Sequence, residues 1–301
     1  MADWAERTDI VEVAAGNCCI MARTEDGRVL RKCNAGGKML NTCSNAQYGM
    51  AGSFTDGDPE LAGWTDIRQL SLSWKYPGLA LGVRNDGTVA ALLPLKRTRE
   101  DLASIISTVS GWEDIAEVSA VNDLFALTTQ GRVLQWTFPE RLGLEGRMVR
   151  HEYERCKTWS RIDHIRGGLY AICGLSEDVG YFSCPWDALL EEHNSPRLFS
   201  GVIDLMETGS DDEGTLIVDR AHVLKVIHGD QEHELASGVE RIVGQLFCVL
   251  ALTTERKLIP VFIRRPQTAE ALEWEGVTSA AVGFTGYSPD TVYVIALADD
   301  R

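Results

Sequence analysis

The chain has 301 residues, 45% of them hydrophobic and 24% charged, and 29 Lys and Arg against 44 Asp and Glu leave a formal net charge of −15. This composition supports a packed core and excludes collagen-like and disordered classes; an isoelectric point near 4.9 argues against a nucleic-acid partner, whose phosphates need Lys and Arg concentrated on one face. No run of about 20 apolar residues marks a membrane span, and the acidic start MADWAERTDI lacks the basic-then-apolar order of a secretory leader, so the expected location is cytoplasmic.

Taken in chain order, the predicted elements repeat. DIVEVAAGNCCIMARTEDGRVL starts at Asp9, WTDIRQLSLSWKYPGLALGVRNDGTVAAL at Trp64 and WEDIAEVSAVNDLFALTTQGRVLQW at Trp112; weaker copies start at Trp159, Phe199, Ala236 and Trp274. The seven units cover approximately 4–33, 64–93, 112–137, 159–183, 199–227, 236–263 and 274–301, and all belong to a single domain spanning 1–301. Their β-branched anchors are Ile10, Ile67, Ile115, Ile162, Val202, Val239 and Val277, and an aromatic three residues before most anchors suits a wedge between units.

Counted back from each turn, one position holds Ala22, Gly82, Ala126, Gly174, Thr215, Ala251 and Ala296, flanked on both sides by large residues in most copies. Strand side chains alternate between faces, so this pattern fits closely stacked sheets. The turns read as two-residue hairpins at Asp26-Gly27, Asp86-Gly87 and Gln130-Gly131, degrading to Asp178-Val179, Asp219-Arg220 and Glu255-Arg256. The expected fold is all-β: a seven-bladed β-propeller of small antiparallel sheets.

Excess length falls at 34–63, 94–111 and 139–158. The first is a loop. The second places Leu102, Ile105, Ile106 and Val109 on one face of a short helix, and the third, highly charged, is a solvated connector. Further helical pieces are expected at 186–193 and 268–274. The seventh unit stops at Arg301 where its hairpin should turn. The last blade is therefore expected to be incomplete, its edge covered by a strand near residues 1–4 or by another chain.

The pattern Trp-x-Asp-Ile, a strand ending in Ala14-Ala15-Gly16, a small-residue strand into Asp-Gly and a further Val-Leu strand resembles the repeats of the regulator of chromosome condensation family, most of all its bacterial members. The resemblance implies a propeller fold and, as roles, the nucleotide exchange and chromatin binding of eukaryotic members or the enzyme inhibition of a secreted bacterial propeller. The charge disfavours chromatin, and the missing leader disfavours the secreted role.

No catalytic motif is present: GxSxG, GxxxxGK[ST], HExxH and a strand-following GxGxxG are all missing. None of the eight cysteines stands in a CxxC pair, so no structural zinc is expected and most are read as reduced, buried thiols. The stretch from His228 to Glu234 groups imidazoles and carboxylates that could hold a transition metal, but it reads as a polar connector. No metal or cofactor is assigned.

Binding is the better-supported class, because propeller loops from distant repeats gather on one face. The loops between first and second strands contain Trp74, Lys75 and Tyr76, then Tyr170, then Asp211, Asp212 and Glu213, then Phe284 and Tyr287. Aromatics among polar groups are the composition of a protein-binding hot spot. The expected function is a non-catalytic protein–protein interaction module whose partner has a basic surface. The alternative is an enzyme or small-ligand binder using a central channel or loop pocket.

Overall fold

In this computed structural model the described residues are 7–17, 19–33, 59–73, 76, 78–92, 105, 107–121, 123–136, 151–152, 159, 161–168, 172–177, 179–183, 197–207, 214–228, 230–245, 248–263, 274–284 and 292–299. Their strands form seven small sheets. The first has β1 (Ile10–Ala15), β2 (Cys19–Thr24) and β3 (Val29–Cys33) in order β1-β2-β3; the second has β4 (Ile67–Leu72), β5 (Ala80–Arg84) and β6 (Val89–Leu92) in order β4-β5-β6. The third has β7 (Ile115–Ala120), β8 (Leu124–Thr128), β9 (Val133–Trp136) and β10 (His151–Glu152), in order β10-β9-β8-β7. The fourth runs β11 (His164–Gly167), β12 (Ile172–Ser176), β13 (Val179–Ser183), β14 (Arg197–Ser200), and the fifth runs β15 (Val202–Glu207), β16 (Thr215–Asp219), β17 (Val223–His228), β18 (Gln231–Ser237). The sixth is β19 (Val239–Gln245), β20 (Cys248–Thr253), β21 (Leu258–Ile263), and the seventh pairs β22 (Val277–Phe284) with β23 (Val292–Ala298). The chain divides into two compact units, residues 1–120 with 278–301 and residues 121–277.

Each sheet opens the same way. The residue before the anchor is left-handed in six copies: Asp66, Asp114 and Arg161 have φ of 57°, 55° and 54°, and Gly201, Gly238 and Gly276 have 68°, 70° and 70°. That conformation is open to Gly and, at some cost, to Asp, which fits the Asp or Gly at this point in five of the six copies; Arg161 is the exception. The anchors Ile67, Ile115, Ile162, Val202, Val239 and Val277 are buried. One residue past the anchor the pairing slips by a bulge, between Ile10 and Glu12, Ile67 and Gln69, Val202 and Asp204, and Val239 and Arg241.

Two bonds then tie a sheet to the next. The anchor amide donates to the carbonyl of the preceding sheet's turn: Ile67 to Gly27, Ile115 to Gly87, Val239 to His222 and Val277 to Arg256, at 2.9–3.1 Å. The polar residue just after the bulge reaches forward to the following innermost strand. Glu12 Oε1 accepts from the Leu70 amide (3.1 Å), Gln69 Oε1 from Val118 (2.8 Å) and Asp204 Oδ2 from Ile242 (2.6 Å). Gln69 Nε2 also donates to the Val118 carbonyl, and Ser71 Oγ accepts from the Ala120 amide. Asp204, almost fully buried, is further held by its own neighbour's amide at Leu205 (2.8 Å) and by Arg166 (3.2 Å).

The turns of the first, second, third and sixth sheets differ from the two-residue reading. The Gly27 amide donates to the Thr24 carbonyl and the Thr24 amide to Arg28, with Gly27 at φ 77°. This is a three-residue loop, a type I turn followed by a left-handed residue, repeated at 84–88, 128–132 and 253–257. In the fifth sheet the left-handed residue is His222, whose amide donates to Asp219, so the turn lies two residues later than Asp219-Arg220. The small-residue position moves with it: the residue paired with Leu205 is Ile217, where the equivalent pairs are Val13 with Ala22, Leu70 with Gly82 and Ile242 with Ala251. Thr215 is not the counterpart of Gly82.

The aromatic wedge has a physical seat. Phe199 lies on β14 opposite Gly180, Ala236 on β18 opposite Leu224, and Trp274 bridges Leu258. The residue that opens each of these sequence copies is thus paired to the outer part of the preceding sheet. A Cβ on Gly82 would stand 2.8 Å from the Trp64 ring, and one on Gly174 would stand 2.6 Å from the Trp159 ring, so the small residue is the floor on which the indole lies. Trp64 clusters with Cys19, Met21 and Val29 of the first sheet as well as Ile67, Leu70 and Ala80 of the second. Where the aromatic shrinks to Phe199, the floor grows to Ile217 and both join one cluster with Cys173, Val202 and Leu205.

Several connectors prove to be structured. Ile105 and Val109 are helical and buried, as the periodicity predicts, while Leu102 and Ile106 lie outside the described residues. His151 and Glu152, within the segment read as a solvated connector, pair with Gln135 and Leu134 of β9. The His228 to Glu234 stretch is not a connector either, since β17 turns at His228–Gln231 into the outer strand β18. Residues 231–235 of β18 are all exposed, and it carries a bulge at Leu235, 47% exposed. Cys19 is disulfide-bonded, against the expectation of a reduced thiol, whereas Cys173 and Cys248 are free and buried. The expected strand near residues 1–4 and the helical pieces at 186–193 and 268–273 fall outside the described residues.

Two outcomes test these ties. Asp204→Ala leaves the Ile242 amide and Arg166 without their acceptor, so urea unfolding should show a loss of about 3 kcal/mol, with Asp204→Asn losing less because one acceptor remains. Gly174→Ala should cost about 1–3 kcal/mol by overpacking under Trp159, and adding Trp159→Phe should recover part of it. Additive losses in that pair would disprove the floor-and-ring relation.

Candidate interaction surface

Among the described residues, the loops from the first to the second strand of the first three sheets have tight, polar bases. In the first sheet the Gly16 amide donates to the Cys19 carbonyl (3.0 Å), and the Asn17 amide donates to the Ser73 carbonyl (3.0 Å) of the next sheet's loop. A Cβ on Gly16 would stand 2.5 Å from the Ser73 carbonyl oxygen and 2.8 Å from Leu72 Cβ, so only glycine permits this approach. Asn17 is fully buried.

The second loop folds on itself. The Ser73 amide donates to Leu79, the Leu79 amide to Tyr76, and the Tyr76 amide to Ser73 Oγ, at 2.9–3.0 Å. Tyr76 is 5% exposed, so its ring is buried rather than offered to a partner, which removes it from the set of surface contacts. In the third sheet the Val121 amide donates to the Asp123 carbonyl, and Gln135 Nε2 donates to Asp123 Oδ2 (3.2 Å), tying the loop base to β9. Asp123 is buried.

The remaining candidates are placed unevenly. Phe284 is the last residue of β22. Trp74, Lys75, Tyr170, Asp211, Asp212, Glu213 and Tyr287 lie outside the described residues. What the described residues contribute is a buried polar position at the base of each of three loops, Asn17 in the first, Ser73 in the second and Asp123 in the third, each engaged within the protein.

The titratable groups of the described residues point to structure before chemistry. Burial pushes the Cys248 thiol up to about 12, which keeps it a thiol and a poor nucleophile. Burial also raises the Glu12 carboxyl above its ordinary value against the opposing pull of Arg23 and the Leu70 amide. At the outer turn of the fifth sheet, backbone and Lys225 hydrogen bonds outweigh desolvation and hold Asp219 low, and Asp219 in turn raises Lys225. Among the described residues no group of three or more His, Cys, Asp or Glu could hold a metal ion, and no helix is long and apolar enough to cross a membrane.

Sequence reading missed Glu12, Gln69 and Asp204, the residues that reach from sheet to sheet. A signal was there: the position two after each anchor reads Glu12, Gln69, Glu117, His164, Asp204, Arg241 and Ser279, polar in every copy.

A chain of repeated small antiparallel sheets joined from turn to innermost strand has the architecture of a β-propeller. Comparison with solved structures shows that fold. Human WBSCR16 matches with a TM-score of 0.58 at 12% identity over 96% of this chain and 86% of that one. Yeast RCC1 (Prp20), in its structure with Kap60, matches at 0.56 and 15% over 96% and 81%. Prp20p from Saccharomyces cerevisiae, described with its binding properties to Gsp1p and histones, matches at 0.53 and 15% over 96% and 83%. No protein-family model and no curated protein sequence matches the chain. The fold is thus that of the regulator of chromosome condensation propellers, in line with the repeat pattern.

Glu12 gives a pH test. Its raised value means the native state binds the proton more tightly than the unfolded chain, so its contribution is fully present below 4.5 and is lost as pH rises through the raised value. Stability measured by denaturant between pH 4 and 8 should show this fall in the wild type and not in Glu12→Gln. Identical pH profiles would refute the assignment.

Proposed function

We propose that the protein is a non-catalytic interaction module, a propeller that binds a protein partner through the loops between the first and second strands of its sheets. The observation that carries this reading is the fixed base of the second loop, where Ser73 is buried and its amide and hydroxyl are engaged by Leu79 and Tyr76, directly before Trp74 and Lys75 in the sequence. A loop held at its base loses less entropy on association. The likeness to Prp20, which is found with Kap60 and is described with Gsp1p and histones, supports a protein as the ligand class.

The contacts assigned to the partner are Trp74 and Lys75 of the second loop, Tyr170, the acidic run Asp211, Asp212 and Glu213, and Phe284 with Tyr287. Tyr76 is assigned to packing. With a net charge of −15, association with a basic protein surface is favoured by long-range attraction. That term weakens with salt because the screening length is about 8 Å at physiological ionic strength.

The experiment is affinity capture followed by binding measurements on the purified pair. Trp74→Ala combined with Asp211→Asn and Asp212→Asn should weaken binding at least tenfold, leave the melting temperature within a degree or so, and flatten the salt dependence of the on-rate. Tyr76→Ala should instead lower stability by about 3 kcal/mol as a buried aromatic. Undiminished binding by the triple variant would remove this face from the proposal.

A further inference from the structure

Cys19 stands apart from the other described cysteine side chains, because it is disulfide-bonded while Cys173 and Cys248 are free. It is the first residue of β2, directly after the loop that sets Asn17 on Ser73, and is 2% exposed. The β2–β3 register places Cys33 opposite it: Arg23 pairs with Val29, Ala22 with Leu30, Met21 with Arg31, Ile20 with Lys32 and Cys19 with Cys33.

The parity of that ladder decides the geometry. The Thr24 amide bonds the Arg28 carbonyl at the turn, so hydrogen-bonded pairs alternate outward and include Ile20 with Lys32, leaving Cys19 with Cys33 a non-hydrogen-bonded pair. Such pairs bring their Cα atoms to about 4.5 Å, within the 4.4 to 6.8 Å span, roughly, that a disulfide bridges. A bond to the adjacent Cys18 would have to join consecutive Cα atoms about 3.8 Å apart, below that span.

We propose that Cys33 supplies the second sulfur, and that the Cys19–Cys33 bond is a redox-reversible staple across the first hairpin. It forms by thiol–disulfide exchange with a low-molecular-mass disulfide such as oxidised glutathione. One cysteine thiolate attacks that disulfide and expels one glutathione thiolate, and the second cysteine thiolate then displaces the other. The two protein thiols lose two electrons and two protons, and the reagent gains both as two thiols. β3 is the outermost described strand of its sheet, so the staple fastens it to β2, its partner among the described strands. Because Cys19 adjoins the loop base, oxidation also firms the anchorage of Asn17. The inference concerns the first hairpin alone and stands whether or not the loop face binds a protein.

The test uses the whole chain equilibrated in glutathione redox mixtures, its free thiols blocked with iodoacetamide, then digested with trypsin without reduction. In a Cys18→Ser variant, the peptide 8–23 should be joined to 33–38 under oxidising conditions and freed by excess reduced glutathione. Joining of 8–23 to 39–68, which carries Cys43, or recovery of alkylated Cys19 from the oxidised chain, overturns the pairing. Melting gives the second measurement: reduction should lower the melting temperature of the wild type by several degrees and leave Cys33→Ser unchanged. An equal shift in both, or none in the wild type, overturns the staple.

Discussion

The structure depends on one recurring hydrogen bond, from the amide of a buried inner strand to the polar side chain that follows the bulge in the sheet before it. A propeller-type sheet buries its innermost strand between neighbours, where an amide without an acceptor costs about 1–3 kcal/mol. Glu12, Gln69 and Asp204 meet that demand across sequence separations of 58, 49 and 38 residues. The bulge makes this reach available by turning one extra residue aside, and the left-handed Asp or Gly before the anchor starts the strand at the angle the bulge requires. Arg166 and Arg23, beside Asp204 and Glu12, balance the charge where the acceptor is a carboxylate.

Hydrophobic packing follows from the same geometry. With registers fixed, alternate side chains of a middle strand face opposite neighbours: Ile217 packs with Cys173 and Val202 of the preceding side, while Leu216 and Val218 pack with Val239, Ile242 and Val249 of the following side. The aromatic and the residue beneath it share a fixed volume, so Trp stands over Gly at Trp64–Gly82 and Trp159–Gly174, and Phe199 accompanies Ile217.

Much of this was legible in the sequence because it is periodic. The anchors recur in seven copies, the alternation around Gly82 and Ala126 in most of them and the Asp-Gly turn in the first two, and repetition is what single-strand patterns lack. The fifth repeat misled because Asp219-Arg220 imitates a turn start; there Asp219 Oδ1 accepts from the Ala221 and Val223 amides, and the left-handed position falls to His222, a residue that gives no turn signal. Outer strands such as β10 and β18 were unreadable for a related reason: a strand in polar sequence has no apolar alternation to announce it. The loop face was legible only as composition. That Tyr76 turns inward depends on the Ser73 and Leu79 hydrogen bonds, which no pattern of residue types encodes.

The outer strand β18 bears on how the protein behaves among copies of itself. Its rim carries Glu232, His233 and Glu234, and Leu235 bulges out of register with Leu224 and Lys225, so a foreign strand laid beside it meets charge and then a broken ladder. Here the rim of the fifth sheet is unfit for copying, which keeps that edge from templating a second chain.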